Sequence, residues 1–99
     1  MSTTSPISSL DQLHDEYETL AEKARRYARA NFIFDFQDAD LTYAKLLLKR
    51  EKAYYNYKKA KTANDDYFNY RFAPVINHKI QLFKNKIISL GGIEALKGV

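Results

Sequence analysis

Cysteine and tryptophan are absent from this 99-residue chain, methionine occurs once, proline twice and glycine three times. Without cysteine there can be no disulfide and no thiolate zinc site. With glycine only at Gly91, Gly92 and Gly98, no glycine-rich loop is available to cradle a phosphate. No apolar run exceeds three residues (Phe32–Phe34 and Leu46–Leu48 among them), far short of the roughly 20 that a membrane-crossing helix needs. The opening Met1-Ser-Thr-Thr-Ser-Pro has neither the basic n-region nor the apolar h-region of a secretory signal. These absences set the expectation of a cytoplasmic protein with no membrane partner.

Histidine is scarce as well. His14 and His78 are the only two, and neither has a second histidine at the i+4 spacing of a helical metal site. Asp38-x-Asp40-x-Thr42 resembles the start of a calcium loop. However, Tyr43 stands where the turn glycine belongs and Lys49 where the closing acid belongs, so these aspartates read as caps and turn residues. No Gly-x-Ser-x-Gly and no Ser/His/Asp set in a recognisable context is present. Acid pairs such as Asp11/Asp15 and Glu18/Glu22 fall at i,i+4 and read as solvated helix surface. The expectation is therefore a non-enzymatic protein with no cofactor, no metal and no small-molecule substrate.

What the chain does have is helix-forming pattern and asymmetric charge. Residues 1–8 are rich in serine and threonine and read as a disordered tail. Ser9 then resembles an N-cap, with Gln12 completing a capping box. Leu10, Leu13, Tyr17, Leu20, Ala24 and Tyr27 follow at spacings of three and four, which predicts a helix from about Leu10 to Ala30. In 31–40, Phe32, Phe34 and Phe36 alternate like a strand, but a lone strand has nothing to pair with. This segment reads as an apolar connection plugging the end of a bundle, with Asp38 or Asp40 capping the next helix.

That helix is expected from about Ala39 to at least Thr62, with Leu46, Ala53, Tyr57 and Ala60 along one face and Leu47, Tyr54 and Ala44 beside it. Continued to Ala73 it would run about 50 Å, too long for a compact domain of this size. A break near Ala63-Asn64-Asp65-Asp66 resolves this, Asn64 or Asp65 capping a new helix. Ile76, Ile80, Phe83, Ile87 and Leu90 form a second seam, ended by Gly91-Gly92. Pro74 marks either the start of the last helix or a kink in one that begins near Asp65. Residues 93–99 form a short tail whose Ile93 and Leu96 dock back or elsewhere. The fold class expected is all-α: a single domain over 9–92, built as a three-helix bundle or elongated helical hairpin with a kink or break near 63–74. The heptad spacing also admits a coiled coil or a homo-oligomer.

Net charge is +4, but residues 1–40 carry eight acids and four bases while residues 41–99 carry twelve bases and four acids. Such asymmetry accompanies nucleic-acid contact, or an acidic first helix packed beside a basic second one. Lys49–Lys61 is the densest stretch. On a helix, Lys45, Lys49, Lys52 and Lys59 run along one side, with Arg50, Lys58 and Lys61 near them. Such a stripe attracts phosphate backbones without reading sequence, and Tyr54 and Tyr55 could stack on bases. The same lysines serve equally to keep a helix soluble.

Eight tyrosines and six phenylalanines are more than a core of this size hides, and tyrosine is enriched at interfaces. Tyr67 and Tyr70 point away from Phe68 and Phe72. The reading that follows is an interaction protein (adaptor, inhibitor or assembly factor), of a type common among phage and mobile-element accessory factors. It binds a protein partner, acidic partners included, or a second copy of itself. The residues that carry this are Lys45, Lys49, Arg50, Lys52, Tyr54, Tyr55, Lys58, Lys59, Lys61, Tyr67 and Tyr70. Nonspecific nucleic-acid binding through Lys45–Lys61 is the alternative.

Overall fold

A computed structural model describes residues 6–99. It is all-α, with helices α1 (Pro6–Ala30), α2 (Leu41–Lys61), α3 (Asp65–Arg71) and α4 (Ala73–Gly91), and 3-10 turns at Phe36–Asp38 and Ile93–Leu96. The predicted tail falls partly outside the described residues. From Pro6 onward it is helix, so Ser9 lies inside α1 and does not cap it. Proline at the first helical position has its φ pre-set and gives up an N–H that would have no partner there.

The α1 seam is as expected. Leu10, Leu13, Tyr17, Leu20 and Tyr27 are half-buried, and Ala21 and Ala24 are buried. Ring contacts fix how α1 lies on α2. Tyr27 pairs with Tyr43, Tyr17 with Tyr54 and His14 with Tyr57, at centroid distances of 6.3, 4.9 and 5.0 Å. Position numbers fall along α1 as they rise along α2, so the two helices are antiparallel.

Asp40 caps α2, accepting from the Tyr43 N–H at 2.8 Å. Its other carboxylate oxygen accepts the Tyr27 hydroxyl at 2.6 Å, which ties the start of α2 to the end of α1. The break after α2 lies where capping chemistry placed it. Thr62 ends the helix, and the Asn64 side chain accepts from the Tyr67 N–H at 2.9 Å to start α3. A second break follows at Phe72. The Phe72 N–H still reaches the Phe68 carbonyl, and the Ile76 N–H reaches Phe72. Pro74 has no N–H to offer the Tyr70 carbonyl, and the chain bends there.

In α4, Ile76, Phe83 and Ile87 are buried and Ile80 half-buried, whereas Leu90 is 44% exposed and drops out of the expected seam. Gly92 ends α4 with φ 76° and ψ 174°, a region in practice open only to glycine. The following turn folds back so that Ala95, Leu96 and Val99 pack against the core, while Ile93 stays 71% exposed. A Cβ on Gly91 would sit 3.0 Å from Ala95 Cβ and 3.1 Å from a Leu41 methyl; the missing side chain lets this turn approach α2.

The core cluster is Ala24 from α1, Ala44, Leu47 and Leu48 from α2, and Phe83 and Ile87 from α4. Among the described residues no Cα of α1 comes within 8 Å of one in α4; both helices lie on α2. This gives a radius of gyration of 15.0 Å and extents of 42 × 30 × 25 Å, longer than a compact domain of this length, for which about 13 Å is usual. The architecture is a helical hairpin with α3 and α4 folded back along its second helix. No described helix is long and apolar enough to cross a membrane.

Two sequence expectations are corrected. The buried face of α2 is Ala44, Leu47, Leu48, Glu51 and Ala53, with Leu46 and Tyr57 only half-buried and Ala60 exposed. The 31–40 linker does not plug the bundle. Phe32 and Phe34 are 77% and 85% exposed, and only Phe36 turns in, 5.6 Å from the Phe83 ring. The α1 end explains this. Ile33 N–H bonds Ala28 carbonyl and Phe32 N–H bonds Arg29 carbonyl, the two bonds of a Schellman cap. The cap places Phe32 at φ 56°, the left-handed position usually held by glycine.

Candidate interaction surface

The cationic side chains of α2 have several different environments. Lys49 and Lys59 are exposed and Lys45 is half-buried. The Lys52 ammonium donates to the Val99 carbonyl at 2.7 Å. Lys58 lies 4.6 Å over the Phe72 ring and Lys61 5.5 Å over Tyr57. Arg50 stands 3.5 Å from the buried carboxylate of Glu51. Lys52 and Lys58 are thus half-buried and engaged within the fold, Arg50 is half-buried beside Glu51, and Lys49, Lys59 and Lys61 remain exposed, with Lys45 half-buried.

Every ion pair recorded among the described residues joins neighbours in one helix or turn. On α1, Glu22 accepts from Arg25 at 2.6 Å and Arg26 at 2.9 Å, and these bonds hold its carboxyl below the ordinary carboxylate range. Among the described residues no salt bridge joins the acidic α1 to the basic α2.

The tyrosines divide likewise. Tyr54 packs against Tyr17, and burial is the first cause of its raised pKa, followed by the adjacent Tyr17 and Glu51 charges. Tyr55 meets Phe68 edge-on at 5.1 Å. Both rings serve the fold. Tyr67 and Tyr70 on α3 are 51% and 83% exposed, and the neighbouring Arg71 is exposed too.

Sequence reasoning missed the second exposed aromatic patch, Phe32 and Phe34 in the linker. Its signal was present: three phenylalanines in ten residues, interleaved with aspartate and asparagine. The α3 patch and the linker lie beyond opposite ends of α2, whose 21 residues span about 30 Å.

Between the Phe36 turn, α2 and α4 lies a groove of about 400 Å³. Its floor is Phe36, Tyr43, Leu47, Leu82 and Phe83, and its rim carries Arg50 and Lys79. A smaller recess bordered by Phe34 and Asp35 adjoins it, sharing Phe36, Tyr43 and Leu47.

His14 is exposed, against Tyr57 and 3.7 Å from Glu18, and His78 is exposed on α4. No cluster of three or more metal-ligating side chains occurs among the described residues. The chain matches no protein-family model, and neither curated proteins nor solved structures return a match.

Proposed function

We propose that this chain is a non-enzymatic helical interaction protein that docks a protein partner, or a second copy of itself, through exposed aromatic side chains, those on α3 flanked by cations. The observation that carries the reading is exposure of large rings that a folded chain gains nothing by exposing. Tyr70, Phe32 and Phe34 stand 77–85% exposed while the smaller Ala24, Ala44 and Leu48 are buried. Rigid aromatic rings and arginine are the residues most often found to dominate binding at interfaces. On α3 the pair Tyr67/Tyr70 sits beside Arg71, with the basic end of α2 at Lys59 a few residues before it.

The second reading is nonspecific nucleic-acid binding along Lys45, Lys49 and Lys59. The excess of bases over residues 41–99 favours it; engagement of Lys52 and Lys58 within the fold weighs against it.

Affinity capture from the native cell, with and without nuclease, separates the two. The partner reading expects a protein that stays bound after nuclease treatment and is lost with the Tyr67→Ser/Tyr70→Ser variant. Capture abolished by nuclease, with DNA or RNA binding at low salt that weakens steeply as salt rises, would replace it with the nucleic-acid reading.

A further inference from the structure

The linker and the groove beside it are complementary in two respects. The linker offers exposed apolar rings, Phe32 and Phe34, with exposed carboxylates at Asp35 and Asp38. The groove offers an apolar floor around Leu82 and Phe83, with Arg50 and Lys79 at its rim and no acid in its lining. Within one chain only Phe36 of the three linker rings lines the groove: it is held against Phe83, and the Lys86 ammonium donates to the Gln37 carbonyl at 3.1 Å while lying 5.6 Å over the Phe36 ring. That anchor fixes the linker on α4, and Phe34 remains outward.

We propose that the Phe32–Phe34 tip of one copy docks in the Leu82/Phe83 groove of a second copy, forming a reciprocal two-fold dimer. The inference rests on the reading of the protein as an interaction module and names a second copy as the occupant of this surface. Each copy carries both tip and groove, adjoining through Phe36, so a reciprocal exchange between two copies is self-complementary, an isologous contact. Asp35 and Asp38 then approach the partner's Arg50 and Lys79.

Two phenylalanines per copy, at about 150–250 Å² each, together with the groove walls they cover, bring the buried area to the order of 1,200 Å², the low end for a specific interface. An interface of that size is of the weak, transient kind, so self-association is sought at protein concentrations of about 1–100 μM.

Sedimentation equilibrium on the full chain tests this. The wild type should pass from the 11.5 kDa chain mass to twice that value across this concentration range. Phe34→Ser should remove the dimer, with helicity by circular dichroism unchanged because the side chain lies outside the core. Asp38→Lys and Lys79→Glu should each weaken self-association at least tenfold, and an equimolar mixture of the two should restore it as a heterodimer. A wild type that stays monomeric throughout overturns the proposal, as does a dimer indifferent to Phe34→Ser or a mixture that fails to associate.

Phe34-dependent capture of a different protein, or Phe34-dependent flotation with anionic phospholipid vesicles, by a monomeric wild type would assign the tip to that occupant instead. Loss of self-docking with Tyr67/Tyr70-dependent capture intact sinks this inference alone. Dimerisation without any such capture sinks the heterologous-partner reading alone.

Discussion

At the scale of single residues, Phe32 is the position where local geometry and side-chain chemistry disagree. A left-handed backbone costs a non-glycine residue roughly 1–2 kcal/mol, and the ring recovers none of it by burial, being 77% exposed. Phe32→Gly should therefore stabilise the dilute monomer by about 1 kcal/mol in urea unfolding, less whatever glycine adds to the entropy of the unfolded chain. Destabilisation would show that the ring is packed in solution. The same substitution should weaken self-association, a residue-level trade of stability for binding.

Tyr27 carries a pH signature. Its hydroxyl donates to Asp40, and this bond, ahead of burial, raises its pKa above the ordinary 10.0. The folded state thus holds the proton more tightly than the unfolded state. The contribution is fully present below about pH 10 and is lost as pH rises through the folded pKa. Ultraviolet titration of wild type minus Tyr27→Phe should show a midpoint above 10, and a midpoint at or below 10 would remove the bond from the account.

At the scale of elements, most of what forms here was legible in the sequence because it is local. The two seams, the Asn64 start of α3, the glycine end of α4 and, of the two readings of Pro74, its place in the first turn of α4 each follow from spacing or from a backbone donor that must find, or lacks, a partner. The start of α1 was misplaced because Ser9 looked like a cap while Pro6, a better first residue, had already opened the helix.

Asp40 is the capping residue with the most depending on it, since it holds both the α2 amide of Tyr43 and the hydroxyl from α1. Asp40→Ala should cost about 1–2 kcal/mol in urea unfolding, and Asp40→Asn should recover the capping share. Equal losses for the two would indicate that the carboxylate charge, and not the cap, matters.

α3 has only seven residues, too few to persist alone in water. It depends on its Asn64 cap and on Phe68, which is fully buried.

At the scale of the whole molecule, Phe68 fastens the α3–α4 bend to α2 through Tyr55 and Phe72. Phe68→Ala should cost about 3–5 kcal/mol, a large share of the roughly 5–15 kcal/mol available to a domain. Amide exchange should accelerate first around residues 65–76. Uniform acceleration along the chain would mean that the hairpin and the α3–α4 arm unfold as one unit.

The candidate surface was only half legible. Tyr67 and Tyr70 were expected outside and are there. Tyr54 and Tyr55 were expected outside and are engaged by Tyr17 and Phe68. The reason lies in α2, whose apolar residues are spread around its circumference with no dominant stripe. Such a helix has neighbours on several sides, here α1, α4, α3 and the C-terminal turn.

The sequence by itself determined that the chain is helical, where its helices break and which faces of α1 and α4 turn inward, because periodicity and capping act within a few residues. Only the tertiary structure decided which lysines and tyrosines of α2 remain available and that the linker phenylalanines stand outside. The first outcome depends on which distant surfaces meet, since Tyr17 of α1 takes Tyr54 and Phe68 of α3 takes Tyr55; the second follows from Phe36 alone being anchored, on Phe83 and Lys86 of α4.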